Sequence, residues 1–232
     1  MIRVRGAVLL LLGFSLMLGA CGLCVKAGAA EYPPTPAPIP PGKGLFGSHE
    51  FRSSLKALPQ WSKVMASAQA QVEEMSGCDP GRDHCSAAAL SWQKIIGEAR
   101  GQEPMQQLKT VNSFFNRWPY RLDIDTYGLN EYWATPQEFL RFSGDCEDYS
   151  ITKYYALKKL GLPVDSMRIV ILQDTIRGIS HAVLAVRLGN DSYILDNLSD
   201  LLLPHQRYEH YLPQYSVNEH YRWAHVSPGL MR

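Results

Sequence analysis

Residues 143–150 read Ser-Gly-Asp-Cys-Glu-Asp-Tyr-Ser, and the helical run that follows ends at Gly161. One thiol sits among three acids at the start of that helix. Backbone N–H groups and the helix dipole at such a start favour a thiolate at Cys146. Asp145, Glu147 and Asp148 oppose it, because nearby negative charge makes a thiol harder to ionise. The combination makes chemical sense if the thiol reacts and something else offsets the acids. A base and an orienting acid are available further on: His181 opens the alternating run HAVLAVRL, and Asp196 closes the run YILD. Chain order Cys, His, Asp supplies a nucleophile, a general base and a group to orient that base.

These residues need particular elements to meet. Gly189-Asn190-Asp191 is turn chemistry between two strand-like runs, 181–188 and 192–195, and predicts a hairpin. A register that puts Val183 opposite Asp196 brings His181 within diagonal reach of Asp196 on one face. A slip of one residue sends the two to opposite faces. Upstream, the spacing predicts helices over Leu58–Met75, from a Ser86 cap through Ala99, and over Glu103–Arg117. Thr135-Pro136-Gln137-Glu138 carries a capping box and a proline suited to a first helical turn. Val164–Leu172 reads as a strand. Helices first and strands after predict an α+β fold with a mostly antiparallel sheet and the nucleophile at a helix N-terminus. The stretch 201–232, rich in Tyr, His and Pro, shows no clear period.

The chain has 232 residues, 46% hydrophobic and 19% charged, with a formal net charge of +1. That suffices for one domain with a real core and gives no basic excess to suggest nucleic acid. Residues 1–30 differ: Arg3 and Arg5 precede an apolar run from Ala7 to Leu18, and Ala27-Gly28-Ala29-Ala30 offers small residues for cleavage. This reads as a secretory signal. Leu18-Gly19-Ala20-Cys21 also resembles a lipobox, which makes lipid attachment at Cys21 a second route. Cleavage after Ala30 removes Arg3, Arg5 and Lys26, taking the basic count from 23 to 20 against 22 acids, a net charge of −2. Residues 31–48 form a proline-rich leader, and 49–232 the domain.

Cys21 and Cys24 leave with the signal. Cys78 and Cys85 flank the turn-forming DPGRDH and can pair in an oxidising compartment. That pairing leaves Cys146 as the odd thiol, a liability in an exported protein unless it is used.

GDCEDYSITKYYALKKLGLP, HAVLAV and YILDN, together with EYWATPQEFL at 131–140, resemble the transglutaminase-like cysteine peptidases of Gram-negative periplasms. The resemblance runs from Lys109 to Tyr208. It implies a papain-like core with Cys146 as nucleophile, His181 as base and Asp196 as orienter. It implies a substrate, the N-terminal region of a large biofilm adhesin, cut at a pair of alanines to release the adhesin from the cell. It implies a partner, an inner-membrane receptor that senses cyclic di-GMP and sequesters the protease. It also implies Ca²⁺ beside the nucleophile, with Asp145, Glu147 and Asp148 as hard oxygen donors. Asp123, Asp125 or backbone carbonyls remain as ways to complete a shell of roughly six to eight oxygens. Two other functions compete with the endopeptidase: an acyl transferase on the same three residues, and a non-catalytic module that only docks the receptor.

Overall fold

The computed structural model describes residues 44–227. The proposed signal, Cys21 and most of the proline-rich leader lie outside them. After one short strand at His49–Ser53, six α-helices follow: α1 Pro59–Gly77, α2 Ala87–Ala99, α3 Pro104–Phe115, α4 Asp123–Tyr127, α5 Pro136–Phe142 and α6 Cys146–Lys159. Their starts follow local chemistry. Proline occupies the first turn of α1, α3 and α5, where its missing N–H costs nothing. The Ser86 hydroxyl accepts from the Ala89 N–H at the start of α2, and the Thr135–Glu138 capping box opens α5.

Seven strands form one sheet: β1 His49–Ser53, β2 Met167–Asp174, β3 Ile179–Leu188, β4 Asp191–Asp196, β5 Ser199–Pro204, β6 Tyr211–Val217 and β7 Arg222–Val226. The spatial order is β1-β7-β6-β2-β3-β4-β5, with every neighbouring pair antiparallel. The α+β class therefore stands. Helix α6 lies across β2 and β3 and joins the other helices in a core that includes Trp61, Trp92, Phe115, Tyr154 and Leu157. Trp61 meets Tyr154 edge-on at 5.7 Å between ring centroids. Truncating a fully buried side chain such as Leu157 to alanine would cost about 2–5 kcal/mol. Trp133 belongs to this core as well.

Three expectations change. The predicted strand over Val164–Leu172 begins only at Met167, because Ser166 folds back, its hydroxyl donating to the Pro163 carbonyl at 2.6 Å and its N–H to the same oxygen at 2.9 Å. The stretch from 201 on, without a clear period in sequence, supplies most of β5 and all of β6 and β7, and β6 lies beside β2 in the middle of the sheet. Its proline, Pro213, sits at a register shift opposite Leu172, where a missing donor is tolerated. Finally, the domain begins before residue 49. Leu45 and Ser48 are buried, Ser48 Oγ bonds to His225 Nδ1 at 2.7 Å, and Glu50 pairs with Arg168 at 2.7 Å.

Cys78 and Cys85 form a disulfide. Cys146 is the free cysteine among the described residues. No helix among them is long and apolar enough to cross a membrane.

Candidate active site

Helix α6 starts at Cys146 because the preceding chain makes an abrupt turn. Ser143 ends α5 with φ 65° and ψ −171°, a conformation that non-glycine residues rarely adopt. Gly144 follows, and a Cβ there would lie 2.0 Å from Asp148 Oδ2, so only glycine lets the two segments approach. Asp148 locks this turn from a fully buried position. Its Oδ2 accepts from the Asp145 N–H at 3.3 Å, and its Oδ1 from the Ala134 N–H at 2.7 Å.

The thiol at the helix start is partly exposed and donates to Glu147 Oε2 at 3.2 Å. Desolvation pushes its pKa well above the ordinary thiol value, the charges of Glu147 and Asp145 add to that rise, and the Ala182 N–H on the sulfur works against it. That last contact brings Cys146 to the residue beside His181.

The β3–β4 hairpin places Leu184 opposite Leu195 and Leu188 opposite Asp191. Continued by one pair, this register sets Val183 against Asp196, the arrangement that leaves His181 on the same face as Asp196. His181 and Asp196 are both buried, and Nε2 of the imidazole lies 3.0 Å from Asp196 Oδ1. The Tyr211 hydroxyl donates to Asp196 Oδ2 at 2.6 Å, and the Leu198 N–H donates to Oδ1 at 2.9 Å. Burial alone would raise the Asp196 pKa, but the bond and charge of His181 and the Tyr211 hydroxyl hold it below the usual carboxylate value. With Nε2 committed to Asp196, Nδ1 is the ring nitrogen left for the thiol. Tyr211 escapes sequence reasoning because it lies on β6, in the stretch without a readable period.

The acids divide into two groups. Asp123, Asp145 and Asp148 each offer an oxygen within 4.8 Å of the others, while Glu147 falls with Asp145 and Cys146 on the thiol side. Asp123 Oδ1 and Asp145 Oδ1 are buried without a hydrogen-bond partner. Burial, reinforced by neighbouring acids, pushes the carboxyl pKa of Asp123 to about 6 and of Asp145 to about 9, and raises Asp148 well above its ordinary value. Three desolvated carboxylates converging with two free oxygens suit a hard cation that takes oxygen ligands. Asp125, the other acid on α4, is exposed and outside both groups.

Residues 65–230 match the family described as bacterial transglutaminase-like cysteine proteinase. The chain belongs to that family. Among solved structures, this transglutaminase-like proteinase is similar to LapG of Legionella pneumophila, at 28% identity and TM-score 0.55 over 68% of this chain and 87% of the other. The calcium-bound form of that LapG gives 30% identity and TM-score 0.56 over 66% and 87% of the two chains. An EGTA-treated form gives 26% identity and TM-score 0.55 over 71% and 92%. No curated protein matches the transglutaminase-like chain.

Proposed function

We propose that this protein is a calcium-dependent cysteine endopeptidase of the periplasm, exported by its N-terminal segment, with Cys146, His181 and Asp196 as its triad. The observation that carries the reading is the buried His181–Asp196 bond of 3.0 Å beside a free thiol at a helix start. His181 Nδ1 accepts the Cys146 proton, and the sulfur attacks the scissile carbonyl carbon. The carbonyl oxygen takes the negative charge and meets the Cys146 N–H at the helix N-terminus. The C–N bond then breaks as His181 returns the proton to the leaving amine. Water, deprotonated by His181, hydrolyses the thioester and restores the thiol.

Asp123, Asp145 and Asp148 would hold the ion, and calcium is the ion bound in the similar LapG structure. When bound, the ion supplies positive charge that offsets the acids beside the thiol. Following the family resemblance, the substrate is the N-terminal region of a large surface adhesin, cut at a dialanine, and the partner is a cyclic-di-GMP-responsive inner-membrane receptor.

Incubation of the purified protein with such an adhesin fragment and Ca²⁺, with and without an added amine, tests the reading. Cleavage at the dialanine by the wild type, and none by Cys146→Ala, is the expected result. Wild-type rates in Cys146→Ala would remove the mechanism. Capture of the amine would make the protein an acyl transferase, and an intact fragment would leave a docking module.

A further inference from the structure

Lys153 has no part in the chemistry above, yet its side chain is fully buried. It lies seven residues beyond Cys146 on α6, two turns along nearly the same helix face. Burying an ammonium is unfavourable unless its donors are satisfied. Here Nζ donates to Asn112 Oδ1 at 2.8 Å and to Asn116 Oδ1 at 2.7 Å, both at the C-terminal end of α3. The ammonium also stands 5.7 Å from the centre of the Tyr149 ring.

What the two asparagines do next matters more. Asn116 Nδ2 donates to the Asp196 carbonyl at 3.0 Å, to the Ser199 carbonyl at 3.1 Å and to Asp200 Oδ1 at 2.8 Å. Asn112 Nδ2 donates to the same Ser199 carbonyl at 2.9 Å. The turn between β4 and β5, which starts at Asp196, is therefore held by two side-chain amides. An amide can present either its oxygen or its nitrogen to a neighbour, but an ammonium can only donate. Facing Lys153, both amides must point their oxygens at Nζ and their NH₂ groups at the turn. Without the ammonium the NH₂ groups still face the turn's acceptors, but the two amide oxygens lose the donor that pins these side chains between α6 and the turn.

We propose that Lys153 is a positioning residue: it anchors the side-chain oxygens of Asn112 and Asn116, and through these side chains the turn that holds Asp196 against His181. The helix that presents the nucleophile thus also sets the placement of the orienting acid. Burial lowers the lysine pKa to about 7, and the charges of Asp196 and Asp200 oppose that shift. The inference rests on the triad reading given above.

The test uses Lys153→Met, which keeps the length of the side chain and removes its donors, and Asn116→Ala, which leaves Lys153 its bond to Asn112. Three quantities are measured on the full chain with Ca²⁺ present: kcat and KM on the adhesin fragment, the rate of Cys146 alkylation by iodoacetamide at neutral pH, and thermal melting. The expected result is a fall in kcat of about tenfold to a hundredfold with KM little changed, and slower alkylation, in variants that still melt cooperatively. A purely structural lysine would lower the melting temperature and leave kcat and alkylation at wild-type values, and that outcome overturns the proposal. If Lys153→Met fails to fold, Asn116→Ala decides by the same criteria. Should the wild type not cleave the fragment, the peptidase reading fails, and alkylation alone decides whether Lys153 positions the site.

Discussion

Cys146 Sγ donates to Glu147 Oε2 at 3.2 Å, so the free thiol rests on the carboxylate of the next residue. Burial first, and then the flanking acids acting on it directly, raise its pKa well above the ordinary thiol value. The same segment gathers Asp145 and Asp148 with Asp123 around a point suited to a cation. Nucleophile and cation site share one helical turn, and the occupancy of one must be felt by the other.

Chelation should slow alkylation of Cys146 as well as stop cleavage, and added Ca²⁺ should restore both. Each unit by which the thiol pKa falls raises its thiolate fraction about tenfold. Mg²⁺ should restore both poorly, because it demands tighter octahedral geometry. Asp123→Ala and Asp145→Ala should weaken calcium binding in titration calorimetry, a readout independent of turnover. Full proteolysis in excess chelator would sink this account.

Tyr211→Phe should lower kcat by about tenfold while the protein stays folded. The hydroxyl donates to Asp196 Oδ2 at 2.6 Å, and its loss leaves a buried carboxylate oxygen without that partner, a cost of about 1–3 kcal/mol. A kcat equal to that of the wild type would show that the Leu198 N–H and His181 are enough to hold Asp196.

His225 should make the fold sensitive to acid. Burial holds its pKa near 4 against an ordinary 6.5, with Glu50 opposing and Arg168 reinforcing the shift. Between these values the unfolded chain binds a proton that the folded chain does not, so this contribution to stability rises with pH and is lost as pH falls through the window. The imidazole joins Ser48 Oγ at 2.7 Å to Ser216 Oγ at 2.8 Å, which ties the N-terminal arm to β6. Melting temperatures across this range should fall less steeply for His225→Gln than for the wild type. Parallel curves would refute the assignment.

Opening the Cys78–Cys85 bond should destabilise the helical half without touching the site. A loop this short gives about 2–3 kcal/mol on the chain-entropy estimate. The double serine variant should melt earlier and keep the wild-type alkylation rate at Cys146. A slowed alkylation would mean that the loop acts on the site.

Local chemistry was legible along the chain. Proline and capping residues marked helix starts, the acids marked the first turn of α6, and Gly189-Asn190-Asp191 marked the hairpin, because each signal acts within a few residues. The three residues of the proposed triad could be named on that basis, since a thiol, an imidazole and a carboxylate stand at the ends of recognisable elements. The hairpin turn left its register open, and the fold resolves it with Leu184 against Leu195. Three other matters were decided by contacts between residues far apart in sequence. Asp123 joins Asp145 and Asp148 only when α4 packs against the start of α6, while Asp125 two residues later points away. Tyr211 reaches Asp196 only because β6 inserts beside β2. Lys153 carries no sequence signal of its own and becomes a buried donor only when α3 brings Asn112 and Asn116 to it. A side chain's periodicity reports which face of its element it occupies, and only the packing of other elements onto that face settles what it meets there.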